Sequence, residues 1–267
     1  MAYVEVGDGV SLFVQESGTG GRPVVLVPGV GLDHRVWARQ TEALAEQHRV
    51  FRVDQRGHGS SDKPTDGYEV ERLAQDLLTV LHRLEVTDCA LVGWSFGGQV
   101  AFRAAAEAPG RVARLALVGS NGVRASRSDD FPFGRPAQER EAWLVSAERR
   151  NRTAARRDVI ASGFHRPPAP STLDELTRIS LAMPSSAAVA CYRSMLYADL
   201  IGDIDRVTMP VLQIFGADDP AHSAKGAHWL NDRLPDGDIV ELGDCGHYPM
   251  YESPDAFGSA LRHFVAN

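Results

Sequence analysis

The chain has 267 residues, of which 43% are hydrophobic and 24% charged, and its formal net charge is −7. This balance is typical of a soluble globular protein and excludes a disordered, collagen-like or disulfide-scaffold chain. The acidic charge gives no electrostatic basis for binding nucleic acid, and no apolar run reaches the roughly 20 residues of a membrane span.

The three cysteines, Cys89, Cys191 and Cys245, are spread over the whole chain. Such an odd, sparse set forms no disulfide framework and favours a reducing compartment. Residues 1–9 contain neither the basic nor the apolar region of a signal peptide. We therefore expect a cytoplasmic protein that binds a small-molecule substrate, with no nucleic-acid and no membrane partner.

The first 120 residues alternate predicted strands and helices. Apolar patterning predicts strands at 3–6, 11–15, 24–27, 50–53, 89–92 and 115–118, and helices at 36–47, 70–84 and 96–108. The strand at 24–27 is apolar throughout, as in a strand buried on both faces. This alternation predicts an α/β fold with a mostly parallel central sheet and helices on both faces.

The pattern changes after residue 120. No strand is predicted between 121 and 206, where helices are expected at 136–150, 153–162, 172–181 and 185–197. Alternation then resumes, with strands at 211–215 and 239–242 and helices at 224–234 and 254–265. We therefore predict an α/β core in two parts, 1–120 and 207–267, interrupted by a helical cap at 121–206.

The motif Gly-Trp-Ser-Phe-Gly-Gly at 93–98 follows a predicted strand and opens a predicted helix. A strand, a tight turn and a helix are the setting of a nucleophile elbow. The turn needs small neighbouring residues, which the glycines supply, and it places the serine at the positive end of a helix. The motif predicts that Ser95 is an exposed nucleophile.

A serine nucleophile needs a base and an orienting acid. His247 lies between the last predicted strand and the last predicted helix, at the same carboxyl edge of the sheet as the elbow. The adjacent Asp218 and Asp219 follow the strand at 211–215, and only one of them can face the imidazole. The chain order of serine, acid and histidine is the one that this elbow class uses. The sequence places the other candidate histidines, among them His222, on the surface.

Two backbone amides are candidates for stabilising an oxyanion. The amide of Phe96 begins the helix after the nucleophile, and the amide of Val30 lies in the glycine-rich loop at 28–31. That loop is not a dinucleotide-binding loop, because His34 stands where the third glycine would be. We expect no metal and no organic cofactor, because the histidines and cysteines lack ligand spacing.

Together these residues resemble the α/β-hydrolase superfamily along nearly the whole chain, and they are similar to small carboxylesterases and enol-lactonases in its serine hydrolase branch. The resemblance implies Asp219 as the acid, with Asp218 in reserve, from the Gly-Ala-Asp-Asp segment at 216–219. It also implies that Arg56 and His58, in the loop at 54–62, are structural, and that the helical insertion roofs the substrate pocket.

The pocket is expected to be apolar, as small-molecule sites usually are. Its candidate wall residues are aromatic side chains and methionines of the core and the insertion: Trp37, Trp94, Trp143, Met183, Tyr192 and Met195. Arg124 and Arg127 are candidates for receiving an anionic substrate, although a solvated surface is the favoured interpretation for both.

The predicted function is hydrolysis of a carboxylic ester or lactone of a small, largely apolar molecule through an acyl-enzyme. The alternatives are a cofactor-free dioxygenase, lyase or C–C hydrolase on the same fold, or a non-catalytic ligand-binding member. The segment at 28–37 is similar to the cofactor-free dioxygenases, but those place their acid after the sixth strand, where this chain has Ser120 and Asn121. Branches with a carboxylate nucleophile are disfavoured, since Ser95 holds that position.

Overall fold

A computed structural model of the chain describes residues 1–266, so Asn267, the last residue of the predicted second core part, lies outside the described residues. Eight strands form one sheet: β1 (Ala2–Glu5), β2 (Ser11–Ser17), β3 (Val24–Val27), β4 (Val50–Val53), β5 (Cys89–Trp94), β6 (Val112–Val118), β7 (Val211–Gly216) and β8 (Gly237–Leu242). Their order across the sheet is β1-β2-β4-β3-β5-β6-β7-β8. Only β2 pairs antiparallel, with β1 and β4, and the other described strand pairs are parallel. The predicted fold class is thus confirmed.

Helices connect the strands. The α-helices are α1 (Ala38–Leu44), α2 (Val70–Arg83), α3 (Phe96–Glu107), α4 (Ala137–Gly163), α5 (Pro170–Ser180), α6 (Ser185–Tyr197), α7 (Ala224–Asn231), α8 (Pro249–Glu252) and α9 (Pro254–Ala266). Short 3₁₀ turns cover His34–Trp37, Pro109–Arg111 and Ile201–Arg206.

The central strands β3, β4, β5 and β7 are buried on both faces of the sheet, as continuous apolar strands are expected to be. Successive residues of a strand point to opposite faces, so Val25 and Val27 of β3 join one hydrophobic cluster, while Val24 and Leu26 join the other. The first cluster includes side chains of α2, α3 and α6, and the second includes side chains of α1, α5 and α9. This two-sided burial holds the strand ends, and the loops that follow them, in fixed positions.

Several element boundaries differ from the expectation, each for a local reason. The predicted helix at 36–47 is a 3₁₀ turn followed by the seven-residue α1. The predicted strand at 115–118 begins earlier, at Val112, where it pairs with Cys89 of β5. The single turn of α8 was missed, because four residues are too short to show helical periodicity.

The segment 121–206 contains α4, α5 and α6 and no strand. α4 runs through the two predicted helices at 136–150 and 153–162, with non-helical backbone at Asn151 (φ −158°, ψ 92°). The Asn151 side chain accepts a hydrogen bond of 3.1 Å from the Ala154 amide, as an N-cap does at a helix start. The two predicted helices are therefore two segments separated at this capping residue.

Among residues 1–266, no helix combines the length and the apolar character needed to cross a bilayer.

Candidate active site

Ser95 lies at the sharp turn between β5 and α3. Its backbone has φ 54° and ψ −122°, a conformation that non-glycine residues rarely adopt. The turn is tight enough that a Cβ added at Gly93 would lie 2.3 Å from the Gly97 carbonyl oxygen, and one added at Gly97 would lie 2.4 Å from that of Pro28. Only glycine fits at these two positions, which explains the spacing of the motif.

The His247 imidazole joins Ser95 to Asp219. Its Nε2 lies 3.0 Å from Ser95 Oγ, and its Nδ1 lies 2.8 Å from Asp219 Oδ2. The loop that carries it is anchored through its backbone. The His247 amide donates to the Gly163 carbonyl at 2.7 Å, and the His247 carbonyl accepts from Trp94 Nε1 at 2.8 Å. Sequence reasoning missed this anchoring role of Trp94.

Asp219 follows β7 and is almost completely buried. Its Oδ1 accepts hydrogen bonds from the amides of Ala221 (2.7 Å) and His222 (3.1 Å), which leaves Oδ2 for His247. Burial by itself raises the pKa of Asp219, but the neighbouring His247 and these hydrogen bonds outweigh it and lower the pKa below its usual value. The carboxylate therefore remains ionised beside the imidazole.

The neighbouring Asp218 points away from this group. Its side chain is half exposed, and its Oδ2 lies 3.0 Å from Nδ1 of His165. The structure thus separates the two adjacent carboxylates, as their consecutive positions lead one to expect.

The two candidate oxyanion donors are both free. Phe96 is the first residue of α3, so its amide has no acceptor within the helix. The Val30 amide has no hydrogen-bond acceptor among residues 1–266. Val30 and Ser95 line the same cavity, and Gln55 Nε2 donates to the Pro28 carbonyl at 2.7 Å, which fixes the start of the loop.

A cavity of about 470 Å³ opens onto Ser95 and His247. Its walls come from the elbow, from the loops after β3, β6, β7 and β8, and from helices α4 and α6 of the segment 121–206. Four of the expected wall residues line it: Trp94, Trp143, Tyr192 and Met195.

Two of the expected wall residues do not line this cavity. Trp37 is completely buried, and the centre of its ring lies 6.4 Å from that of Phe257. It therefore belongs to the second hydrophobic cluster, on the face of the sheet that α1 and α9 cover. Met183 is also buried, between α5 and α6, where its carbonyl accepts hydrogen bonds from Arg152 and Arg156. The expectation for these two residues is wrong, because large apolar side chains in a sequence look alike in a core and in a pocket.

His222 is not on the surface, as the sequence suggested. It is 8% exposed, lines the cavity, and its ring stacks on that of His247 at 5.4 Å and 21°. The signal that could have found it is its position three residues after Asp219, which brings both into one loop at the carboxyl edge of the sheet.

The arginines that line the cavity, Arg135 and Arg140, are not the two that the sequence suggested. Arg124 forms an ion pair with Asp199, and Arg127 is exposed away from the cavity lining. Arg140, in the first turn of α4, lines the cavity instead. Its place could not be read from the sequence, because that requires knowing how α4 lies over the sheet.

The loop at 54–62 supports the fold away from the cavity lining. Arg56 is buried and donates to both oxygens of Asp76 at 2.7 Å and 3.0 Å. His58 is completely buried, and this burial lowers its pKa. Neither residue lines the cavity, which agrees with the structural role that the resemblance implies.

Within residues 1–266, one group of side chains has the composition of a metal site: Asp33, His34 and Asp54. These carboxylates already have protein donors, because Asp33 pairs with Arg35 and Asp54 accepts from His34 and from the Ser60 amide. The group does not line the cavity that contains Ser95. These hydrogen bonds indicate a structural cluster formed by the segments that follow β3 and β4.

Comparison with known proteins agrees with this architecture. A family model described as alpha/beta hydrolase fold matches residues 22–254. The chain is 27% identical over 261 residues to the pimeloyl-[acyl-carrier protein] methyl ester esterase of Nitrosospira multiformis, covering 96% of this chain and 98% of that protein. It is 30% identical over 275 residues to a non-heme chloroperoxidase of Streptomyces lividans, covering 99% of both.

Among solved structures, an esterase from Exiguobacterium antarcticum superposes with a TM-score of 0.95 at 22% identity, covering 99% of each chain. At this identity the likeness shows the fold. The relatives are named for different reactions, so the reaction of this chain has to be inferred from its own site. From the family match over most of its length, the chain belongs to the alpha/beta hydrolase fold family and is an enzyme of that family.

Proposed function

We propose that this enzyme hydrolyses a carboxylic ester or lactone of a small, largely apolar molecule through an acyl-enzyme on Ser95. The observation that carries the proposal is the continuous hydrogen-bonded series from Ser95 through His247 to Asp219 at the wall of a cavity. A hydroxyl, an imidazole and a buried carboxylate in this arrangement form an activated nucleophile.

In the first step, Ser95 Oγ attacks the substrate carbonyl while its proton passes to His247 Nε2. Asp219 accepts the hydrogen bond from Nδ1–H, which keeps Nε2 free as the base and stabilises the imidazolium that forms. The proton on Nε2 then passes to the leaving alcohol oxygen as the carbon–oxygen bond breaks. The product of this step is an ester of Ser95 with the acyl group.

The tetrahedral intermediate carries a negative charge on the former carbonyl oxygen. The free amides of Val30 and Phe96 are the donors that we assign to this oxyanion. One such donor contributes about 10²–10³ in rate in comparable enzymes. Both are backbone groups, so no side-chain substitution removes them directly.

In the second step, His247 takes a proton from water as its oxygen attacks the acyl carbonyl. Breaking the bond to Ser95 Oγ returns the proton to the serine and releases the carboxylic acid. No group outside the chain and the two substrates is needed for the proton or electron balance of either step.

We assign the helical segment 121–206 as a cap over this site. Two features support the assignment: α4 and α6 contribute Trp143, Tyr192 and Met195 to the cavity walls, and the last residue of α4, Gly163, accepts the hydrogen bond from the His247 amide. The apolar character of these walls supports a largely apolar substrate.

The acid position supports hydrolysis over the cofactor-free dioxygenase alternative. The carboxylate that contacts His247 follows β7 and not β6, where this chain has Ser120 and Asn121. The similarity to the methyl ester esterase of Nitrosospira multiformis supports the same reaction class.

The test is steady-state hydrolysis of 4-nitrophenyl acetate, butyrate and octanoate, together with γ- and δ-lactones of graded chain length. We expect saturable hydrolysis, and Ser95→Ala should lower kcat by about 10⁴–10⁶. Ser186→Ala is the matched control, because Ser186 is exposed on α6 and is not part of the cavity lining. Equal activity of Ser95→Ala and the wild type, or no turnover of any ester or lactone, would overturn the proposal.

A further inference from the structure

Arg140 has a guanidinium that forms no ion pair with any carboxylate of the described chain. It is half-buried in the first turn of α4 and lines the cavity that contains Ser95. Two other arginines of the segment 121–206 form ion pairs within the protein. Arg135 Nη1 lies 3.6 Å from Glu139 Oε1, and Arg156 is paired with Glu148. Among residues 1–266, no ion pair and no side-chain hydrogen bond involves the Arg140 guanidinium.

The position of this guanidinium is electrostatically costly. Burial lowers the pKa of Arg140, the charge of Arg135 lowers it further, and Asp219 partly opposes both. A charge that has lost hydration without gaining a partner destabilises the site that holds it. An anion bound beside it would restore the lost interaction through charge-assisted hydrogen bonds.

The His222 side chain, which also lines the cavity, is neutral at ordinary pH. Burial lowers the pKa of His222 to about 4, and the nearby charge of Arg140 contributes to the lowering. Its Nδ1 is buried without a hydrogen-bond partner in the described structure. The positive charge beside Asp219 and His222 therefore belongs to Arg140.

The remaining charges of the lining nearly cancel. Arg135 and Glu139 form an exposed ion pair at the rim, and their charges offset each other. The uncharged part of the lining contains many apolar side chains, including Trp143, Leu144 and Met195. The cavity thus combines apolar walls with one cation that has no ion-pair partner in the described chain.

We propose that Arg140 binds a carboxylate of the substrate, so that the enzyme acts on esters or lactones that carry a free carboxylate, such as half-esters of dicarboxylic acids. This inference rests on the proposed function, and it adds a substrate class that the hydrolytic residues alone do not specify. It makes Arg140 a specificity-determining residue.

The test compares matched esters that differ only in charge. The first pair carries the carboxylate on the acyl group and consists of mono-4-nitrophenyl glutarate and its methyl ester. The second pair carries the carboxylate on the alcohol group and consists of acetoxyacetate and its methyl ester. The readout is the ratio of kcat/KM for the anionic ester to that for the neutral one. We expect the wild type to prefer the anionic ester in one of the two pairs.

Arg140→Gln should lower that ratio by about 10- to 100-fold, the loss expected for a charge-assisted hydrogen bond. Arg140→Lys, which keeps the charge, should retain part of the preference. Arg149→Gln is the matched control, because it removes the same charge from an exposed position of α4 outside the cavity lining and should leave the ratio unchanged.

A wild-type ratio at or below one in both pairs, or a ratio in Arg140→Gln within about twofold of the wild type, overturns the inference but not the proposed hydrolysis. Failure of the proposed function itself is recognised separately, as absence of Ser95-dependent turnover of all four esters. In that case calorimetric binding of glutarate provides the readout. At least tenfold weaker binding to Arg140→Gln supports the inference, and equal binding overturns it.

Discussion

Ser95 is held in its strained backbone conformation by hydrogen bonds to β6 and to the first turn of α3. Its amide donates to the Val118 carbonyl of β6 at 2.9 Å, and its own carbonyl accepts from the Gly98 amide at 2.9 Å. A residue in such a conformation costs about 1–3 kcal/mol and persists only where its surroundings determine it strongly. Because this conformation is fixed, the Ser95 hydroxyl is held at the carboxyl edge of the sheet, next to His247.

At this scale the two adjacent aspartates should differ sharply. Asp219→Asn keeps the shape of the side chain but removes the charge that orients and stabilises the imidazole, so kcat should fall by about 10⁴. Asp218→Asn is the matched control, since its carboxylate faces His165 and is half exposed. Steady-state kinetics on 4-nitrophenyl butyrate would measure both. A larger loss in Asp218→Asn than in Asp219→Asn would contradict the assignment.

His222 should make the stability of the protein depend on pH. Its pKa in the folded protein is lowered from about 6.5 to about 4, so below pH 6.5 the unfolded chain takes up a proton that the folded chain does not. The free energy of unfolding should therefore fall as the pH decreases from 6.5 to 4, by about 3 kcal/mol from this residue. This contribution is absent above pH 6.5, where the ring is neutral in both states.

Urea unfolding at pH 7.5 and pH 4.5 of the wild type and His222→Gln would measure this difference. The variant should lose less stability between the two pH values than the wild type does. His228→Gln, at an exposed position of α7, serves as control and should retain the wild-type slope. Equal pH dependence in the wild type and His222→Gln would refute the interpretation.

The residues whose spatial arrangement could be foreseen are those that a local motif fixes. Ser95 lies in a strand–turn–helix motif, and the loops of Asp219 and His247 follow strands of one parallel sheet, so their meeting at one edge follows from the alternation alone. The choice between Asp218 and Asp219 came from the family resemblance, because adjacent positions do not show which side chain faces inward. The positions of Arg140 and His222 depend on how the segment 121–206 and one loop fold over the edge, which no local pattern encodes.

At the scale of elements, a buried ion pair joins the two halves of α4 with α5 and α6. Glu148 precedes the break at Asn151, and Arg156 follows it, with 2.7 Å between Arg156 Nη2 and Glu148 Oε1. Arg156 also donates to the Ser180 carbonyl at the end of α5, and the Ser185 hydroxyl at the start of α6 donates to Glu148. The pair thus links the end of α5 and the start of α6 to both halves of α4.

Breaking this pair should destabilise the segment that roofs the cavity. Glu148→Leu leaves the buried Arg156 without its partner and should lower the free energy of unfolding by about 3–5 kcal/mol. The double variant Glu148→Leu/Arg156→Met should lose clearly less than the sum of the two single variants, because it removes both charges. Chemical denaturation of the four proteins completes the cycle. Additive losses would show that the two side chains act independently.

At the scale of the whole molecule, the fold buries its thiols in two hydrophobic clusters. Cys89, Cys191 and Cys245 are each inaccessible to solvent. Burial raises the pKa of Cys89 and of Cys245 to about 12, and it raises the pKa of Cys191 further. A thiol that is both inaccessible and protonated is unreactive, because the thiolate is the nucleophile.

We therefore expect no thiol to react with Ellman's reagent in the native protein at pH 8, and three to react in 6 M guanidinium chloride. Release of one equivalent of chromophore from the native protein within minutes would show that one of these clusters opens readily. Such a result would contradict the packing described here.

The architecture of the core is predictable from the chain because the central strands carry apolar runs and the core helices carry apolar stripes. The walls of the cavity are less predictable. Trp143 and Trp37 are chemically identical, yet Trp143 is 54% exposed at the cavity and Trp37 lies against Phe257 under the sheet. Which of them faces a pocket depends on helix placement, and helix placement follows from the packing of the whole molecule.

The most direct test of the account is the intact mass of the protein after incubation with a small fluorophosphonate, measured on the wild type and on Ser95→Ala. The wild type should gain the mass of one phosphonyl group and Ser95→Ala none, because only a serine activated by His247 and Asp219 attacks this reagent. A folded wild-type protein without an adduct, or equal labelling of Ser95→Ala, would contradict the assignment of Ser95 as the nucleophile.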